Sequence, residues 1–129
     1  MSEEFILNYD AAAVVNISVK RGCTVSISLT FYDENGAVEN LTGWTARMSI
    51  KDKAGGDLWL DLYTGAGITI TAGSGLVEIL MTAVVVRAMA GKHGVYDLLM
   101  RNSDGSEIIC PMEGQITFAD VVSALPPTT

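Results

Sequence analysis

His93 is the single histidine of the chain, so imidazole chemistry of any kind must run through it. It lies between Lys92 and Gly94, in a predicted loop without a nucleophile and orienter set beside it, and reads as a solvated loop residue rather than a base. One histidine cannot build a histidine metal cluster. The acids Asp57, Asp61, Glu78 and Asp97 fall at predicted strand ends or outward positions, and spacing along the chain does not place any two at a glycosidase separation. Cys23 and Cys110 lie far apart in predicted strands and lack the paired spacing of a zinc site, so both are expected to be buried free thiols. Asp33-Glu34-Asn35-Gly36 opens like a calcium loop, but only Glu39 follows it, which leaves a tight turn with glycine at positive φ. Gly55-Gly56 has no basic residue and helix after it and is not a phosphate loop. No enzyme, metal site or cofactor is expected.

Bulk properties narrow the class further. The formal charge is −7, and the eight Lys and Arg are scattered, which argues against a phosphate-backbone partner. Of the 129 residues 49% are hydrophobic and 18% charged, enough for one domain with a real core and rich enough in apolar side chains to supply subunit contacts. The longest apolar runs fall far short of the roughly 20 residues that span a bilayer as a helix. The start, MSEEFILNYD, is acidic and lacks the pattern of a signal peptide, so the chain is expected to stay in the cytoplasm until it is assembled. The triplets Asn16-Ile17-Ser18 and Asn40-Leu41-Thr42 therefore carry no glycosylation meaning.

The elements that would position these residues are strands. Residues 77–100 organise the rest: Val77, Ile79 and Met81 alternate with Glu78 and Leu80, a short helical crossover spans about residues 82–90, and alternation returns with Tyr96, Leu98 and Met100. Thr82 can cap the crossover, while Val84, Val85 and Val86 weaken it. The cleanest two-residue period elsewhere is Val25, Ile27, Leu29 and Phe31. Trp44, Ala46, Met48 and Ile50 form another strand, with Trp44 in phase with the core. Residues 14–19 and 107–118 read as further strands, the last an edge or bulged one because Pro111 cannot donate to a ladder.

Three stretches suggest contacts with other chains. Leu58, Leu60 and Leu62 alternate with Trp59, Asp61 and Tyr63, so a leucine core face would leave Trp59 and Tyr63 together on the surface. Residues 1–13 form an arm or edge segment carrying Phe5, Ile6 and Leu7, followed by one domain over 14–118 and an apolar tail over 119–129 with Val121, Val122 and Leu125. The strand pattern predicts a mainly β domain of about seven to nine strands with one short helical crossover.

The segments RGCTVSISLTFYDENGAVENLTGWTARMSIKD, GLVEILM and GVYDLLMRNSDGSEIICPMEGQITF resemble small phage virion proteins. They are similar to the N-terminal domain of phage baseplate upper proteins and related tail or tail-fibre attachment modules. The matching residues are Arg21-Gly22, Leu41-Thr42-Gly43-Trp44 with Arg47 and Ile50, Gly94-Val95-Tyr96-Asp97-Leu98, and Glu113-Gly114-Gln115-Ile116. The resemblance implies an Ig-like antiparallel β-sandwich, with which the count of seven to nine strands agrees, and a non-enzymatic virion component of tail, baseplate or head-to-tail region, a homo-oligomer whose partners are other virion proteins. Neither nucleic acid nor membrane is among them. With no long C-terminal extension, attachment is implied rather than host recognition. Phe5, Ile6, Leu7, Trp59, Tyr63, Val121, Val122 and Leu125 are the expected contact residues. A carbohydrate- or receptor-binding module and a capsid decoration protein stand as alternatives.

Overall fold

The structure is a computed structural model; it describes residues 2–8, as backbone alone, together with 13–89 and 91–120. Among the described residues ten strands and one short α-helix follow in order, with a 3-10 turn at Ala72–Ser74 between the seventh and eighth strands: β1 Ser2–Asn8, β2 Ala13–Val14, β3 Ile17–Lys20, β4 Val25–Tyr32, β5 Thr45–Lys51, β6 Leu58–Thr64, β7 Gly67–Thr71, β8 Leu76–Met81, α1 Ala83–Arg87, β9 His93–Arg101 and β10 Ile108–Ala119. The strands form one sheet in the order β1-β4-β8-β7-β6-β5-β9-β10-β2, with β3 also on β10 beyond the break at Val15-Asn16. Pairing is mixed: β1 lies parallel to β4, β2 and β3 parallel to β10, and β6 parallel to β7. A single mixed sheet replaces the expected antiparallel Ig-like sandwich.

The sheet must curl, and chain length shows why. β3 and β4 lie seven neighbour steps apart in the strand order, about 33 Å in a flat sheet. Yet only residues 21–24 join them, and so short a link reaches at most about 17 Å. The concave face therefore encloses the core, with Ile27, Leu29 and Phe31 of β4, Met48 and Ile50 of β5, Val77 and Ile79 of β8, Leu98 and Met100 of β9 and Ile116 and Phe118 of β10 all buried. Val86 and Met89 close one end and Leu41 is buried near the other. Alternation is the sequence cause, since a curled sheet needs apolar side chains only on its inner face.

The crossover is shorter than the expected 82–90: α1 has five residues, Thr82 caps it by accepting from the Val85 amide, and the valine run leaves Val86 inside and Val84 out. Arg21 holds that end together. Its guanidinium donates to the carbonyls of Met89 and Gly91, pairs with Asp120 at 3.0 Å and stands 6.0 Å from the Phe118 ring centre. The turn between β3 and β4 is thereby tied to the α1–β9 loop and the end of β10. Pro111 sits at a bulge, where β10 places an extra residue between the pairs Ile109–Met100 and Met112–Leu98. The strand is not an edge, because β9 flanks it on one side and β2 and β3 on the other.

Candidate contact surface

A second bulge decides what the outer face of the sheet displays. Along β5 and β6, Ile50 pairs with Leu60 but Lys51 pairs with Leu58, so Trp59 is an extra residue. Beyond a bulge the side-chain phase reverses. Leu58 therefore joins Lys51 on the outer face, 51% exposed, and Trp59 turns toward the core. Its indole meets Phe118 edge-on, with ring centres 6.5 Å apart. Gly94 makes room for it: a Cβ there would lie 2.7 Å from the indole Cζ3 and 2.7 Å from the Lys51 carbonyl oxygen. The expected surface pair is thus split, with Tyr63 outside and Trp59 packed within. Alternation alone misses the bulge, although the adjacent Gly55-Gly56 turn is where a register change is most easily absorbed.

The outer face of β6, β5, β9, β10 and β2 is a mixed apolar and charged surface. Of the eight large apolar side chains that stand exposed among the described residues, it carries Val14, Leu58, Tyr63, Leu99 and Ile108. An open groove of about 740 Å³ runs across it, with Leu58, Val95, Leu99 and Val14 among its lining and the 54–56 hairpin along one side. Leu99 alternates with the buried Leu98 and Met100, so its outward position follows from the two-residue period of the strand; Val14 and Ile108 carry no comparable signal.

Charged side chains cross the same face in rows. Arg47 grips Asp61 in bidentate fashion, with Nε to Oδ1 at 2.9 Å and Nη2 to Oδ2 at 2.7 Å, and Ser49 Oγ donates to the same carboxylate at 3.0 Å. The Arg47 hydrogen bond, ahead of the Ser49 one, holds the Asp61 carboxyl below its usual range against the opposing cost of burial. Asp97 pairs in register with Ser49 on one side and Glu113 on the other, which sets two like charges opposite each other. Lys51, Arg101, Asp97 and Glu113 form no salt bridge with another described residue.

The remaining chemical candidates are dispersed. His93 begins β9 rather than lying in a loop, and stands exposed. Asp57 lies in the β5–β6 hairpin, and Glu78 faces outward between Ser28 and Thr69. Among the described residues no group of three or more His, Cys, Asp or Glu could hold a metal ion. The two cysteines are free but not buried as expected: Cys23 is exposed in the turn before β4, and Cys110 is half-buried at the β10 bulge. Burial first, then the charges of Asp97 and Glu113, push the Cys110 thiol pKa up.

Phe5, Ile6 and Leu7 lie in β1, in register with Leu29, Thr30 and Phe31, and their side chains are outside the described structure. Val121, Val122 and Leu125 lie outside the described residues altogether.

No protein-family model and no curated protein matches the chain. The fold is similar to a solved structure described as the N-terminal domain of phage TP901-1 ORF48, at a TM-score of 0.54 over 92% of this chain and 98% of that one. With 11% of residues identical, the two share a fold.

Proposed function

We propose that this chain is a non-enzymatic structural component of a bacteriophage particle, placed in the tail, baseplate or head-to-tail region and made in the host cytoplasm before assembly. The observation that carries this reading is the fold likeness to a phage protein domain, which runs over 92% of the chain. Its work is to join neighbours, other virion proteins and further copies of itself, through surfaces rather than a catalytic cleft. The inward turn of Trp59 favours this over sugar binding, because it removes the pair of exposed aromatics on which a carbohydrate would stack. The test is immunogold electron microscopy of purified phage particles with an antibody against this chain. Label at the tail or neck supports the reading; label on the head favours capsid decoration, and unlabelled particles refute a virion role.

A further inference from the structure

The cations, scattered along the sequence, are sorted by the fold. The strands run between two ends, one closed by α1 and the other by the loops over 33–44, 72–75 and 102–107. Those loops touch one another: the Leu41 amide donates to the Ala72 carbonyl, and a Cβ on Gly43 would lie 2.5 Å from the Ser103 Cβ. They gather Asp33, Glu34, Glu39, Asp104 and Glu107 and contain no Lys or Arg. The α1 end is the reverse. Lys20, Arg21, Arg87 and Lys92 meet there, and a Cβ on Gly22 would lie 3.6 Å from the Arg87 Nε. The 52–57 hairpin, with Lys53, lies beside them, where Trp59 packs on Gly91 and Gly94. The acids of this end are Asp52, Asp57 and Asp120, the last already paired with Arg21 at 3.0 Å. The remaining charges of the described residues belong to the strands between, with Glu3 and Glu4 of β1 nearest the α1 end. The eight residues of β4 span about 26 Å, roughly three Debye lengths at physiological salt. A body approaching one end therefore meets the charge of that end and little of the other. Two copies repel when like ends meet and attract when unlike ends meet. Each end also offers an exposed valine for apolar contact, Val38 among the acids and Val84 on α1.

From this we infer that copies of this chain associate end to end, the acidic loops of one against the α1 end of the next. A second copy is the occupant because each end finds its complement on the opposite end of the same molecule. Such a contact is heterologous, the kind that closes into a ring or runs on as a chain. The inference rests on the structural role proposed above and assigns its self-contact. Sedimentation equilibrium of the full chain tests it, with two double variants: Glu34→Gln with Asp104→Asn at the acidic end, and Arg87→Gln with Lys92→Gln at the α1 end. Circular dichroism confirms that both are folded. The wild type is expected to self-associate, with a dissociation constant that rises about tenfold between about 0.05 M and about 0.5 M salt. Either variant alone should raise the constant about tenfold. An equimolar mixture of the two should recover the wild-type constant and stop at a pair, because each variant keeps the end that the other needs. Association strengthened by salt, variants that associate like the wild type, or a mixture no tighter than its components overturns the inference. A monomeric wild type overturns it as well, and leaves the two ends to other virion proteins of opposite charge. Particle labelling is read separately: a monomeric chain found in particles refutes the self-contact and keeps the virion role, and a self-associating chain absent from particles does the reverse.

Discussion

Replacing Tyr96 with phenylalanine should lower stability at neutral pH and raise it, relative to wild type, in alkali. Tyr96 is 4% exposed, and its hydroxyl donates to the Val15 carbonyl at 2.5 Å, tying β9 to the point where the edge strand breaks between β2 and β3. Losing that bond at a half-buried carbonyl costs about 1 kcal/mol at pH 7. Burial, then the charges of Cys110 and Glu113, raises the phenol pKa in the fold. A neutral acid favoured by the fold contributes its full stability below the unfolded pKa of about 10 and loses about 1.4 kcal/mol per pH unit above it. The wild-type advantage should therefore vanish between about pH 10.5 and 11, where the two stability curves cross. Urea unfolding of both proteins from pH 7 to 11.5 measures this, and the difference between them cancels the titrating groups that do not interact with Tyr96. Curves that stay parallel throughout would show that Tyr96 ionises as freely in the fold as outside it, and would refute the reasoning.

Further outcomes follow from the same contacts. Arg21→Ala should cost about 2 kcal/mol in urea unfolding, with Arg21→Lys restoring little because an ammonium cannot reach both carbonyls in fork geometry; a loss below about 0.5 kcal/mol would contradict the clamp. Trp59→Ala should cost about 2–4 kcal/mol if the indole is packed on Phe118, whereas an outward Trp59 would cost less than about 0.5. At pH 8 a disulfide reagent should consume Cys23 rapidly and Cys110 slowly, since a raised thiol pKa leaves less thiolate; equal rates would place both in the same environment. Asp61, whose folded pKa is depressed, stabilises above its unfolded pKa and loses that contribution as pH falls through the folded value. Asp61→Asn should accordingly flatten the acid limb of the stability curve below about pH 4, and an unchanged limb would argue against the Arg47 pair.

The sequence made some of this legible for a physical reason: strands that bury one face must alternate. Val25 to Phe31, Val77 to Met81 and Tyr96 to Met100 all do so, and all three stretches lie in the core as expected. The Thr82 cap and the turn ending in Gly36 were equally local features. Pairing was not local. Nothing in the composition of β3 and β4 reveals that they lie seven neighbour steps apart in one sheet, and the curl follows only from that order and the short link between them. The bulge at Trp59 exchanged the surface positions of Trp59 and Leu58, and with them the identity of the contact face. Arg21-Gly22 and Gly94 stood out as part of a family resemblance; the structure gives them work, as a clamp on two carbonyls and as room for an indole.

The virion role is tested most directly by quantitative mass spectrometry of density-gradient-purified phage particles from the source, with this chain counted against the major capsid and tail proteins. The account predicts a fixed stoichiometry in multiples of three, five or six, set by the symmetry axis the protein occupies. Absence from the particle, or an amount that varies between preparations, would contradict it.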